Sequence, residues 1–183
     1  MTLIDSTYFV GELSLPAIRE NSGKTGSEAI LEKIKNKELN AMIEKYERRF
    51  LKLMLGEKFT NEFYSGLNLP DTDPNKEKWI VLKNKLCIEG ELLKKSPIAN
   101  YVYRFYLLKL RDETTQTGTK KSKSTFADNV SDTRKLVRSW NEMVDFNKKF
   151  IKWFEDNFDT YKPYWNNHVI ESDLFTHINE MNL

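Results

Sequence analysis

The sequence has few of the residues that define stapled, fibrous or metal-binding proteins. Its 183 residues include one cysteine, two histidines, seven glycines and five prolines. The single cysteine, Cys87, cannot form an internal disulfide, and so few glycines exclude a collagen-like repeat. His168 and His177 are nine residues apart with no cysteine nearby, a spacing that matches no common zinc site.

The chain also lacks a strong net charge and a long apolar run. Lys plus Arg number 29 against 27 Asp plus Glu, so there is no strong field to attract nucleic acid. No run approaches the ~18 apolar residues of a membrane helix, and we expect no membrane partner. The lone cysteine leaves a reducing or a thiol-indifferent compartment, and residues 1–5 lack the basic and apolar regions of a signal peptide. A 39% hydrophobic content still allows one folded domain over 1–183.

Apolar periodicity predicts an all-α fold, a bundle of about five helices. A capping box at 25–28 begins the first helix, which we expect to bend near Asn36 and to end at Gly56. The fifth carries a heptad-like apolar seam with Asn147 at one position. Alternating runs that would indicate strands are absent from the sequence. The other predicted helices span about 57–66, 73–95 and 97–111, and the fifth spans about 130–158.

Three stretches without helical periodicity lie outside these helices. They are an extended N-terminal arm (1–24), a long Thr/Lys/Ser-rich loop (112–128) and an aromatic C-terminal tail (159–183). The arm's apolar residues follow no helical period, so we expect the arm to need a partner surface and to add little to the stability of a free monomer. A loop this long inside a compact domain is typically functional or disordered.

Two short motifs suggest ligand binding but fail on spacing. The Gly-Lys-Thr of 23–25 ends like a phosphate-binding loop, yet Ile18 stands where that loop needs a glycine. The alternating polar residues of 71–77 resemble a calcium loop, but Lys76 and Leu82 replace its glycine and its bidentate glutamate. Helix starts explain both motifs. We find no nucleophile with a base, so we expect no catalysis, cofactor or metal.

Charge is unevenly divided along the chain. Residues 134–152 contain six basic and two acidic side chains, whereas 153–183 contain one basic and six acidic. This change of sign would suit two complementary surfaces that meet head to tail, although such charges more often belong to solvated helix faces. The basic residues also suggest an alternative function, a small helical nucleic-acid-binding regulator that uses Arg134, Lys135, Arg138, Lys148, Lys149 and Lys152.

Several stretches together resemble the head-to-tail connector proteins, also called adaptor or neck-ring proteins, of tailed bacteriophages. The likeness is to connectors of crAss-like and other Bacteroidales phages, and it covers most of the chain. It is carried by LIDSTYFVGE at 3–12, FLKLMLG at 50–56, SPIANYVY at 96–103, the Thr-rich loop, and KLVRSWNEMV at 135–144.

The resemblance implies a non-enzymatic virion protein, made in the host cytoplasm, that forms a ring beneath the portal and extends the DNA channel. Its implied partners are other copies of itself, the portal protein and the next neck or tail protein, with weak contact to packaged DNA. The implied interface residues are Leu3, Ile4, Tyr8, Phe9 and Val10 in the arm, Lys120, Lys121, Lys123 and Phe126 in the loop (interface or channel), and Tyr161, Tyr164, Trp165 and Phe175 in the tail.

Overall fold

The computed structural model describes residues 1–15, 27–90, 93–116 and 125–180. These residues form six α-helices and one small antiparallel hairpin, which confirms the predicted all-α class. The helices are α1 (Ser27–Leu55), α2 (Glu57–Leu67), α3 (Lys76–Leu86), α4 (Pro97–Gln116), α5 (Thr125–Asp156) and α6 (Phe158–Tyr161). The hairpin strands are β1 (Ile88–Glu89) and β2 (Lys94–Lys95).

Helix α4 lies at the centre of the bundle, between α1 and α5. Its sequence is apolar or aromatic almost all round, a composition typical of a helix surrounded by other elements. Tyr101 and Tyr106 are buried, and Phe105 stacks on Tyr46 of α1 with ring centroids 4.4 Å apart. Aromatic side chains therefore fill the space between α1 and α4, where offset stacking adds to the burial of apolar area.

Two glycines allow sharp turns and close packing around α2. Gly56, between α1 and α2, has φ +83°, which a residue with a side chain rarely adopts. Gly66 faces α3, and a methyl group there would lie 2.1 Å from the indole of Trp79. The chain can thus turn at residue 56 and bring α2 directly against the Trp79 ring.

The third helix is shorter than predicted, and a hairpin follows it. α3 ends at Leu86, and Ile88 and Glu89 pair with Lys95 and Lys94. The predicted helix to residue 95 is therefore wrong, and so is the expectation of no strands. Gly90 follows β1 and interrupts the helical pattern, and Leu93 beyond it is 48% exposed.

Helices α4 and α5 are both longer than the sequence pattern predicts. The backbone of 112–116 and of 125–128 is helical, so the loop predicted at 112–128 is shorter. The segment 112–116 reads Asp-Glu-Thr-Thr-Gln, and apolar periodicity cannot detect a helical turn that contains no apolar residue. Lys120, Lys121 and Lys123 lie outside the described residues. Phe126 belongs to the first turn of α5, and its side chain is likewise outside the described part. α1 runs continuously past Asn36, where we expected a bend or break.

The N-terminal arm is part of the core of its own chain. Leu3, Ile4, Tyr8 and Phe9 are each at most 5% exposed, whereas Val10 is 45% exposed. The expectation that the arm needs the surface of a partner is therefore wrong. Two short 3-10 turns, Ser6–Tyr8 and Gly11–Leu13, direct the apolar side chains inward without a helical period.

A buried carboxylate on α1 fixes the arm in place. Glu47 is fully buried and accepts the backbone N–H of Leu3 at 2.8 Å and that of Ile4 at 3.1 Å. The Tyr64 hydroxyl of α2 donates to the same carboxylate at 2.7 Å. Burial raises the pKa of Glu47, while these hydrogen bonds oppose the shift. One side chain thus joins the arm, α1 and α2.

The C-terminal tail returns along α5. Tyr161 is buried, and its hydroxyl donates to the Lys78 carbonyl at 2.8 Å. Further along, α5 side chains donate to tail carbonyls: Asn147 to Leu174 at 2.8 Å, and Trp140 to Thr176 at 2.9 Å. All four tail residues that the resemblance implies as interface residues contact the chain's own core, Tyr161 fully buried and the others partly buried: Tyr161, Tyr164, Trp165 and Phe175.

Replacing Glu47 should show how strongly this carboxylate holds the arm. Glu47→Ala leaves two buried N–H groups and a hydroxyl without an acceptor, so we expect a loss of about 3 kcal/mol in unfolding free energy by urea titration. Glu47→Gln retains an acceptor for the arm amides and should lose much less. Equal losses in the two variants would contradict a hydrogen-bonding role.

The unfolding free energies of wild type and Glu47→Gln should depend differently on pH. Because the pKa of Glu47 is raised above 4.5 on folding, its titration favours the folded state most below pH 4.5. That contribution is lost as the pH rises through the folded-state pKa. Glu47→Gln does not titrate, so its stability relative to wild type should improve from pH 4.5 upward. Parallel stability curves would exclude the raised pKa.

Trp140 tests the packing of α5 against the tail. It is 8% exposed, so Trp140→Ala should cost about 3–5 kcal/mol, as large core truncations do. Trp140→Phe keeps an aromatic ring but removes the N–H that binds Thr176, and should cost about 1 kcal/mol. Urea unfolding of both variants measures the difference. A neutral Trp140→Ala would show that this face is not part of the core.

Candidate docking cleft

An open cleft lies where the arm, the hairpin and one face of α5 meet. Its volume is about 630 Å³, in the range of ligand and peptide sites. The arm forms one wall because Glu47 holds it against α1. The hairpin forms a second wall, and α5 forms a third. We name this site the docking cleft.

Half-exposed apolar side chains surround the mouth of the docking cleft. Val10, Ile88 and Leu93 are 45%, 47% and 48% exposed, although they come from separate parts of the chain. Gly11, with φ +61°, turns the arm beside Leu93, to which a Cβ at residue 11 would come within 3.7 Å. Deeper in, the cleft is lined by Tyr8, Leu13, Phe146, Phe150 and Trp153. A clustered apolar surface of this kind is typical of an interaction site.

Four lysines border the same cleft: Lys85, Lys94, Lys95 and Lys149. None of them forms an ion pair with a carboxylate in the described part of the chain. Two lie over aromatic rings, Lys85 over Trp153 and Lys94 over Tyr8, with the ammonium nitrogen 5.5 and 5.4 Å from the ring centroid. Lys94 also interacts electrostatically with Asp5, so Lys95 and Lys149 have the charges most available to a bound group.

The carboxylates of the cleft are mostly engaged. Glu12 forms an ion pair with Arg138, and Asp145 lies 2.8 Å from Nε2 of His177. Glu142 accepts a hydrogen bond from Asn100 at 3.4 Å. Desolvation, and then the nearby charge of Glu12, raise the pKa of Glu142. The unpaired charge at this site is therefore mainly that of the lysines.

Polar groups beneath the hairpin do not form a reactive centre. Cys87 is buried, with Sγ 3.9 Å from Oγ of Ser96, and burial raises its pKa to about 12. The thiol therefore stays protonated at neutral pH and acts as a small apolar residue. The Tyr8 hydroxyl is buried nearby without a hydrogen-bond partner, and burial also raises the pKa of Tyr8.

The docking cleft contains only part of the interface predicted from the sequence. Val10 stands at its mouth and Tyr8 at its floor, whereas Leu3, Ile4 and Phe9 are in the core. None of the predicted tail residues lines it. The sequence does not predict that Ile88, Leu93 and Phe146 line this cleft, because no periodic signal identifies residues that meet through a hairpin.

Two other features of the described residues concern ligands and membranes. Within 1–15, 27–90, 93–116 and 125–180, no three His, Cys, Asp or Glu side chains gather to hold a metal ion. No helix in these ranges is long and apolar enough to cross a membrane. His168, to which the sequence assigns no role, has its Nε2 atom 2.9 Å from the Leu53 carbonyl.

Comparisons with known protein families, curated proteins and solved structures found no match.

The link between Glu12 and Glu142 can be tested by titration. Glu12→Gln removes the neighbouring negative charge and frees Arg138, so both effects should lower the pKa of Glu142. Carboxyl chemical shifts measured by NMR against pH would report the change. As a control, Glu62→Gln on α2 lies outside the cleft and should leave Glu142 unaffected. An unchanged pKa in Glu12→Gln would show that the two carboxylates do not interact.

Proposed function

We propose that this chain is a structural subunit of the head-to-tail connector of a tailed bacteriophage, acting by protein contacts and not by catalysis. In this role copies of the chain form a ring beneath the portal and present a surface to the next neck or tail protein. The proposal rests on the sequence resemblance of the stretches at 3–12, 50–56, 96–103 and 135–144. It is supported by the docking cleft, which combines exposed apolar side chains with unpaired charge.

The apolar mouth of the docking cleft is the observation that most favours an assembly role. Val10, Ile88 and Leu93 come from the arm and the hairpin, yet they are exposed side by side. A chain that functioned as a free monomer would be more stable with these apolar side chains buried. Protein interfaces instead combine an apolar centre with a charged rim, as the four lysines provide here.

The alternative, a regulator that binds nucleic acid through α5, has less support. Arg138 is paired with Glu12, and Arg134 lies 3.3 Å from Glu180. Asp145 lies on the same side of α5 as Arg138 and Lys149, given the 100° step per residue of a helix. The proposed basic face is thus partly neutralised. Duplex binding that weakens steeply with salt would favour this alternative.

The connector proposal can be tested in a productive infection by the phage that carries the gene. We expect an affinity-tagged full chain to sediment with DNA-filled particles, and chemical crosslinking with mass spectrometry to join it to the portal protein. As a control, tagged Leu93→Asp should fold normally but be depleted from particles. Recovery of the wild-type chain only in the unassembled fraction would refute the proposal.

A further inference from the structure

A second exposed apolar feature lies on the C-terminal tail. Val169 is 86% exposed, more than any other large hydrophobic side chain that the structure describes. Acidic side chains follow it at Glu171 and Asp173, and both are exposed. A strongly exposed valine beside unpaired carboxylates is the reverse of the docking cleft, which has an apolar opening beside unpaired lysines.

The tail holds Val169 in a fixed outward position. On one side of it, Nε2 of His168 lies 2.9 Å from the Leu53 carbonyl, and on the other the Glu171 N–H donates to that same carbonyl at 3.4 Å. Asn167 has φ +47°, a left-handed conformation that asparagine tolerates. Because both flanks are attached to the end of α1, Val169 is presented without a large ordering cost on binding.

Val169 lies outside the docking cleft. Its neighbours His168 and Glu171 both contact the Leu53 carbonyl at the end of α1, and no described residue of α1 lines the cleft. Leu53, to which the Val169 segment is attached, does not line the cleft. A copy bound through its cleft would therefore keep its own Val169 free.

The charges of the two surfaces are complementary. The exposed carboxylates of Glu171 and Asp173, close to Val169 in the sequence, form no ion pair within the described part of the chain. Of the four lysines of the docking cleft, Lys94 interacts electrostatically with Asp5, whereas Lys85, Lys95 and Lys149 form no ion pair there. Opposite charge across an interface steers association and fixes its orientation more than it adds affinity, and salt screens it.

We propose that Val169 of one copy of this chain inserts between Val10, Ile88 and Leu93 of the next copy. Such a contact joins two different surfaces, so it is heterologous, and it closes into a ring where the rotation between copies permits. Ring closure rests on the proposed connector function, whereas the pairwise contact can be measured without it.

Engineered cysteines test the contact between full-length chains. Val169→Cys and Leu93→Cys are prepared separately with tags of different mass, mixed and oxidised. We expect a disulfide-linked dimer that contains one copy of each variant. The natural thiol Cys87 is buried with a raised pKa, so it should contribute little background. The matched control mixes Val169→Cys with Ile34→Cys, whose position on α1 is 57% exposed.

Sedimentation velocity over a range of concentrations gives an independent readout. Val169→Asp and Leu93→Asp should each weaken self-association by on the order of tenfold or more, as expected for an apolar anchor, while Ile34→Asp should behave as wild type. The proposal is wrong if mixed disulfides do not exceed the control or if wild type stays monomeric throughout. It is also wrong if Leu93→Asp alone weakens association, since the cleft would then take another segment.

The outcomes separate this inference from the proposed function. Particles that contain the chain, together with failure of Val169→Cys to pair with Leu93→Cys, would refute the contact and leave the connector role standing. A specific mixed disulfide from a chain that never enters particles would establish the contact and refute the connector role.

Discussion

The hydrogen bonds of the Glu47 carboxylate connect parts of the chain that are far apart in sequence. Its oxygens accept hydrogen bonds from the amides of Leu3 and Ile4 and from the hydroxyl of Tyr64, so this one side chain joins the arm, α1 and α2. Burying a carboxylate is costly unless donors surround it, and here they do. The position of the arm, and hence one wall of the docking cleft, depends on this side chain.

Both ends of the described chain complete the core instead of extending from it. The arm fills one side through Tyr8 and Phe9, and the tail covers α5 and the α2–α3 region through Tyr161 and Leu174. The hairpin and the Val169 loop are two places where apolar side chains are exposed near charged groups, while Ile34, Ile80 and Val81 are exposed elsewhere among the described residues.

The sequence pattern predicts the helices but not how the irregular segments fold. Long apolar stripes identify α1, α4 and α5, and Asn147 in the α5 seam proves to be a buried donor to the tail. Periodicity fails where side chains are turned inward by 3-10 turns, as with Leu3 and Tyr8, because no repeat marks them. The docking cleft cannot be predicted from the sequence for the same reason, because its residues meet only through tertiary contacts.

The tail is attached to α5 by hydrogen bonds that all use side chains of α5, with no helix or strand ladder of its own over 165–171. Each bond needs α5 to be formed first, so the tail can dock only late in folding. In the native state the segment after Leu174 is correspondingly the part that can detach without breaking the bundle, while the bonds to Leu53 hold the Val169 loop. Amides of 176–180 should therefore exchange hydrogen with solvent sooner than those of α4, through a local opening that leaves the centre of the bundle closed.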